Sequence, residues 1–212
     1  MASPSHSSAP ADPTVARILH QAREHFFAHG YCACTMDDLA AELGMSKKTL
    51  YVHFRSKEEI MRAVLEQLGR EVRADAEALL ANRHLGFAEK LRGFAEGIVQ
   101  RLALLNPRTL RDLQRFAPEL YALLVEMRQK NIPYIFGRFI EEGQIAGKVR
   151  TDISPVLAVE FFLHAMQGLL QPATLDRLGL APRDLLPQAI DLFFGGLLTP
   201  AGRKEHEKFF PR

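Results

Sequence analysis

Apolar residues recur along the chain at helical rather than strand spacing, and proline and glycine punctuate the pattern where helix ends belong. The segment "PTVARILHQAREHFFAHG" sets Val15, Ile18, Leu19, Ala22 and Phe26 on one face, and Gly30 closes it, which predicts an amphipathic helix from Pro13. In "TMDDLAAELG", Thr35 can cap a short helix and Asp38 follows three residues on as in a capping box. Met36, Leu39, Ala40 and Leu43 form its inner face. Gly44 ends that helix, Met45 plugs the corner, and Ser46 caps another that begins at Lys47. A long helix follows in "SKEEIMRAVLEQLGREVRADAEALLANR", and helical segments continue over 85–105, 107–116, 118–144, 154–171 and 183–198. Pro107, Pro118 and Pro155 fall at first-turn positions, where proline is tolerated. Pro133 lies inside a helical run, and its missing N–H predicts either a bend that wraps the core, the favoured reading, or a widened gap in a pocket wall. With strand signals almost absent, the fold class is all-α.

The stretch "SKKTLYVHF", residues 46–54, departs from the pattern of a buried helix. Its anchors are only Leu50 and Phe54, which share one side, while Lys48 and Val52 point almost directly away and Thr49, Tyr51 and His53 flank them. Two short helices joined by a tight glycine-containing turn form a helix-turn-helix, whose second helix enters the DNA major groove. Charge sharpens this placement. The 212-residue chain has a net charge of only +2, yet Lys47, Lys48, Arg55 and Lys57 lie between Ser46 and Lys57 with no acidic residue. Any nucleic-acid surface is therefore local.

Composition narrows the remaining classes. At 47% hydrophobic, the chain can build one large or two small cores. The apolar run "PVLAVEFFLHAMQGLL" is interrupted by Glu160, His164 and Gln167 and falls short of a membrane span, so no membrane partner is expected. The start, "MASPSHSSAPADP", lacks the apolar centre of a signal peptide and reads as a flexible, disordered polar arm over 1–13, with a cytoplasmic location expected. Two cysteines, Cys32 and Cys34, are too few for a disulfide framework. With His25 and His29 they could be imagined as a zinc site, but structural zinc sites separate their ligand pairs better. A small apolar cysteine in a tight link beside two solvated histidines is preferred, and no metal or cofactor is expected. No Ser/His/Asp elbow, phosphate-binding glycine loop or HExxH pair points to an enzyme, and Glu160 with His164 alone is weak ground for acid-base chemistry.

The block "TMDDLAAELGMSKKTLYVHFRSKEEIMRAVL", with the helix before it, resembles the DNA-binding domain of the TetR family of bacterial transcriptional repressors over residues 14–65. The resemblance implies an all-helical homodimer of about nine helices per chain. It divides the chain into a helix-turn-helix domain over 14–58, a ligand-binding and dimerisation domain over 59–200, and a tail over 201–212 with no assigned role. It implies that Lys47, Lys48 and Val52 reach base edges, and that Thr35, Ser46, Thr49, Tyr51, His53 and Lys57 hold the DNA backbone. The chemistry is compatible, since lysine donates to guanine acceptors and valine packs on a thymine methyl.

Aromatic and methionine side chains crowd the C-terminal part. Phe94, Phe116, Met127, Phe136 and Phe139 are candidates to line a pocket for an apolar effector, with Glu160, His164 and Gln167 as orienting groups. Those three polar residues share one helix face, which could equally be solvated, lie in a dimer interface or line the cavity. The helices around 154–171 and 183–198 are apolar on more than one side and must bury more than one face. By resemblance they pair with their twins, with Ala158, Ala165 and Gly168 permitting close approach and Phe193 and Leu197 filling the seam. A two-fold dimer reads a pseudo-palindromic operator in double-stranded DNA. The expected function is a sequence-specific transcriptional regulator, a repressor tuned by a small, largely apolar ligand. The alternative is a ligand-binding or adaptor protein with a vestigial helix-turn-helix.

Overall fold

The computed structural model describes residues 12–209, so the arm over 1–13 lies outside the described residues except for Asp12 and Pro13. Asp12 caps the first helix by accepting a hydrogen bond from the Thr14 amide. The helices are α1 (Pro13–His29), α2 (Met36–Glu42), α3 (Lys47–His53), α4 (Lys57–Ala81), α5 (Phe87–Arg101) and α6 (Pro107–Phe116). They continue as α7 (Pro118–Ile145), α8 (Pro155–Leu169), α9 (Pro172–Leu178), α10 (Pro182–Leu197) and α11 (Pro200–Phe209). The described residues are thus all-helical apart from one isolated antiparallel bridge, Val149 with Leu198.

Two helices exceed the expected nine. Between the long segments, α9 starts on Pro172 and stops at Gly179, whose φ of 66° is left-handed. The tail supplies α11, which begins on Pro200 and packs on α5. Pro133 does not break α7, which runs unbroken through it. The Gln129 carbonyl loses its helical donor there, and because Gln129 is exposed, water can replace it.

Long α4 and α7 pack against each other, α1 and α5 flank α4, and α8 and α6 flank α7. A chain of phenylalanine rings ties α5, α7, α8 and α10 together. Phe136 lies 5.8 Å from Phe94 and 4.1 Å from Phe162, and Phe162 lies 4.6 Å from Phe193. Offset and edge-on ring contacts of this kind add specificity to the apolar burial.

Close helix approach in this bundle rests on a few small residues, and two glycines separate that role from helix propensity. A methyl group on Gly202 would collide with the backbone carbonyl of Lys148, whereas at Gly137 in α7 nothing lies within 4 Å. Gly202→Ala should therefore destabilise by about 1–3 kcal/mol as α11 is pushed from its seat. Gly137→Ala should stabilise by about 0.5–1 kcal/mol through helix propensity. Urea unfolding of the two variants measures both signs.

Candidate nucleic-acid interface and effector cavity

Local chemistry fixes the helix-turn-helix. Thr35 Oγ1 accepts the Asp38 amide at 3.1 Å and Asp38 Oδ2 accepts the Thr35 amide at 2.9 Å, a reciprocal cap for α2. After Leu43 the chain turns through Gly44 at φ 61°. The Gly44 amide donates to Ala41 and the Met45 amide to Ala40, both at 3.0 Å, which is the hydrogen-bond pattern of a Schellman stop. Ser46 then caps α3 by accepting the Thr49 amide at 3.0 Å. Beneath the turn, Leu50 and Phe54 are buried. On the other side, Val52 is 76% and Tyr51 43% exposed, and Lys47, Lys48 and Thr49 are also open.

The exposed groups differ in how free they are. Lys48 has no ion pair among the described residues, while Lys47 is paired with Asp37 of α2 at 2.7 Å. Thr35 donates its hydroxyl to Asp38 at 2.6 Å, and the Ser46 and Thr49 hydroxyls lie 2.8 Å apart. His53 is half-buried, 3.8 Å from the Asp12 carboxylate. Lys57 is directed inward: its Nζ donates to the carbonyls of Tyr31 and Cys34, each at 3.2 Å, and sits 4.4 Å from the Tyr31 ring centroid. It fastens the α1–α2 link to the start of α4, a role that the sequence expectation of a DNA backbone contact did not include. The Tyr31 hydroxyl donates to Glu58 at 2.8 Å, and burial pushes its pKa upward.

The cysteine and histidine cluster is arranged for packing. Cys34 is buried, its thiol pushed up to about 12 by burial, and it donates to the Gly30 carbonyl at 3.1 Å. His25 Nδ1 meets Glu42 at 2.6 Å and its ring lies tilted against that of His29, with centroids 4.8 Å apart. No group of three or more candidate ligands converges among the described residues.

Behind the helix-turn-helix lies an apolar cavity of about 160 Å³. Its wall takes Leu65, Leu68 and Val72 from α4, Phe94 from α5, Leu110 from α6, and Met127, Arg128 and Phe136 from α7, and it reaches Phe27 of α1. Phe94, Met127 and Phe136 are therefore cavity residues. Five other candidates are not. Phe139 is fully buried behind Phe94, with ring centroids 5.3 Å apart, and Phe116 lies on the surface. Glu160 and His164 pair with each other on the outer face of α8, and half-buried Gln167 does not reach the wall. Arg128 is the residue missed. Its spacing from Leu124, Ile132 and Ile135 put it on an apolar helix face, a signal legible in the sequence.

The interface candidates need a similar correction. Ala158, Phe193 and Leu197 are buried within the chain itself, Ala165 is half-buried and only Gly168 is open. The outward face of α8 is instead Val156, Leu157, Glu160, Phe161 and His164, and that of α10 carries Leu192. Phe161 is 68% and Leu192 79% exposed. Both helices are apolar on two faces, so periodicity could not tell the core side from the outer one.

Residues 18–64 match the family model described as bacterial regulatory proteins, tetR family. The uncharacterized HTH-type transcriptional regulator YvaF of Bacillus subtilis is 26% identical over 163 residues, covering 77% of this chain and 85% of its own. The HTH-type transcriptional regulator UidR of Escherichia coli is 26% identical over 200 residues, covering 89% and 95%. The fold agrees with that of the regulatory protein TetR from Rhodobacter sphaeroides, at a TM-score of 0.67 and 17% identity over 89% of this chain and 100% of that one.

The chain belongs to the TetR family. As a TetR-family protein it is a DNA-binding transcriptional regulator, with the helix-turn-helix of α2 and α3 as its DNA-binding element. Its similar relatives are regulators rather than enzymes. No described helix is long and apolar enough to cross a membrane.

The internal role of Lys57 separates two effects of mutation. Lys57→Met removes two charge-assisted hydrogen bonds from the α1–α2 link and should cost about 1–3 kcal/mol of stability. Lys48→Ala, with no partner to lose, should leave the unfolding midpoint unchanged. Denaturation in the absence of DNA checks the contrast.

Proposed function

We propose that this TetR-family protein is a homodimeric repressor whose affinity for a pseudo-palindromic operator is set by a small, largely apolar effector in the cavity. The observation that carries the reading is that Phe27, at the end of α1, shares the cavity wall with α4 and α6, the helices that hold the DNA-binding element. A molecule entering the cavity therefore touches the support of the reading head directly. Residues 14–58 are the DNA-binding unit in this reading, and 59–200 sense the effector and dimerise.

On DNA, Lys48 and Val52 are the groups best prepared for base edges, because both are exposed and neither is engaged. Lys47 joins them once it exchanges Asp37 for DNA. Ser46, Thr49, Tyr51 and His53 surround that edge and hold phosphates. Thr35 joins them by turning its hydroxyl from Asp38, and Lys57 contributes through the donor its two carbonyls leave over. The apolar outer faces of α8 and α10, centred on Phe161 and Leu192, support pairing with a second copy, since such a patch on a monomer is unfavourable in water. Two recognition helices then meet successive major grooves.

Effector control needs two spacings of those helices and a ligand that prefers one. A coupling of about 1–3 kcal/mol changes operator affinity by roughly 5- to 150-fold. The path runs through α6: Thr109 Oγ1 donates to the Phe26 carbonyl at 2.8 Å, the Asn106 amide donates to Phe27 at 2.9 Å, and Asp112 accepts the Cys32 amide at 2.9 Å.

Selection of bound fragments from random duplexes, followed by salt titration, tests the repressor reading. A palindromic consensus with a steep salt dependence is expected, and binding indifferent to sequence would refute it. On the selected operator, Lys48→Ala or Val52→Ala should shift base preference. Phe161→Glu should convert the dimer to a monomer in sedimentation and lower operator affinity. Asp112→Ala should leave operator binding in place while weakening its response to effector, read by fluorescence anisotropy with and without ligand.

A further inference from the structure

The cavity wall is apolar except at Thr109 of α6 and at Arg128 and Asn131 near the middle of α7. Thr109 spends its hydroxyl on the Phe26 carbonyl, and Asn131 donates its amide to the Gly69 carbonyl at 3.0 Å. Arg128 is different. It lies half-buried on the wall among Leu124, Met127 and Ile132, and forms no hydrogen bond or ion pair with any described residue. Among the described lining residues it alone is charged. Burial pushes its pKa down to about 10, with Tyr121 acting weakly the other way, so it stays protonated at neutral pH. The guanidinium is half-buried beside apolar side chains and has no counter-ion among the described residues, and a partly desolvated charge gains from a partner.

We propose that the effector is an apolar carboxylic acid, whose anionic head pairs with Arg128 while its ring or chain fills the space between α4, α5 and α7. This rests on the reading of the cavity as the effector site, and names the chemistry that site selects. The guanidinium offers two parallel donors that match a carboxylate. One guanidinium balances one negative charge, so a phosphate dianion would leave charge uncompensated in an apolar wall. The size agrees with a compact body: a dry apolar cavity of roughly 150 Å³ takes a molecule such as benzene, and this one measures about 160 Å³. The acid and the arginine solve each other's desolvation problem, and neutral analogues bring only their apolar surface.

Calorimetric titration of the full-length protein with hexanoate, octanoate and decanoate, each against its matched alcohol, and with octyl phosphate, tests the assignment. At least one acid should bind about tenfold or more tightly than its alcohol, as expected for a hydrogen-bonded charge pair. Arg128→Met should abolish that preference while alcohol binding persists, and Arg128→Lys should keep part of it. Equal affinity of acid and alcohol in the unaltered protein, or a preference that survives in Arg128→Met, overturns the proposal. Tighter binding of octyl phosphate than of octanoate overturns the choice of head group. Leu68→Trp, which fills the cavity, should block acids and alcohols together. If neither class binds, or binding survives that substitution, the effector-site reading itself fails and takes this inference with it.

Discussion

The last turn of α1 carries carbonyls that the helix cannot fully satisfy from its own backbone, and the rest of the molecule is organised around how they are met. Helix C-termini leave such groups open by geometry. Here the Gly30 amide caps the Phe26 carbonyl at 3.0 Å, Thr109 at the start of α6 adds a second donor to it, and the Asn106 amide supplies the donor for Phe27. Thr109 is fully buried, so water cannot substitute for that bond. The DNA-binding element is thereby fastened to α6, a helix that also lines the cavity. Asp112, one turn later on α6, holds the Cys32 amide in the α1–α2 link and approaches Gly30, where any side chain would collide with it.

A second fastening runs through charge. Glu71 of α4 accepts from Arg23 of α1 at 2.8 Å and from Arg101 of α5 at 2.6 Å, and Arg101 also reaches Asp75. These groups are partly buried, so they are less screened than a surface pair. The network crosses three helices and limits the ways in which α1 can move independently of α4. Motion of the reading head is therefore motion of α4 and α6 together, and both border the same empty space.

Much of the DNA-binding element was legible because its signals are local. Thr35 with Asp38, Gly44, and Ser46 ahead of Lys47 each specify a cap or a turn within four residues, and each forms as the sequence suggests. The cavity was less legible, since an apolar helix face has the same pattern whether it abuts a neighbour or a void. Phe136 and Phe139, three residues apart on one helix, look equivalent in sequence, yet one lines the space and the other packs behind Phe94. The two-faced α8 posed the same problem, and which side faced the core was settled only by the tilted packing of Phe162 against Phe136 and Phe193. Arg128 lay within reach of sequence reasoning, as a charge where the helical period calls for an apolar residue.

In the proposed mechanism, the geometry of α4 lets a ligand in a small cavity act on the whole DNA-binding assembly. Its 25 residues form a rigid rod that carries the cavity residues Leu65, Leu68 and Val72 near its middle and Lys57, which grips the α1–α2 link, at its start. From Gly69 to Lys57 the rod is about 18 Å long at 1.5 Å per residue. A rotation of about 5° at the cavity thus moves the grip by roughly 1.5 Å over that length. In a two-fold dimer both heads move, so the change in separation between recognition helices doubles. A packed apolar core resists graded deformation and favours discrete arrangements, and the cavity beside α4 is where the proposed switch would find room for a second one. In the proposed mechanism the void thus has two parts, the place where a ligand is felt and the slack that allows the rod to turn.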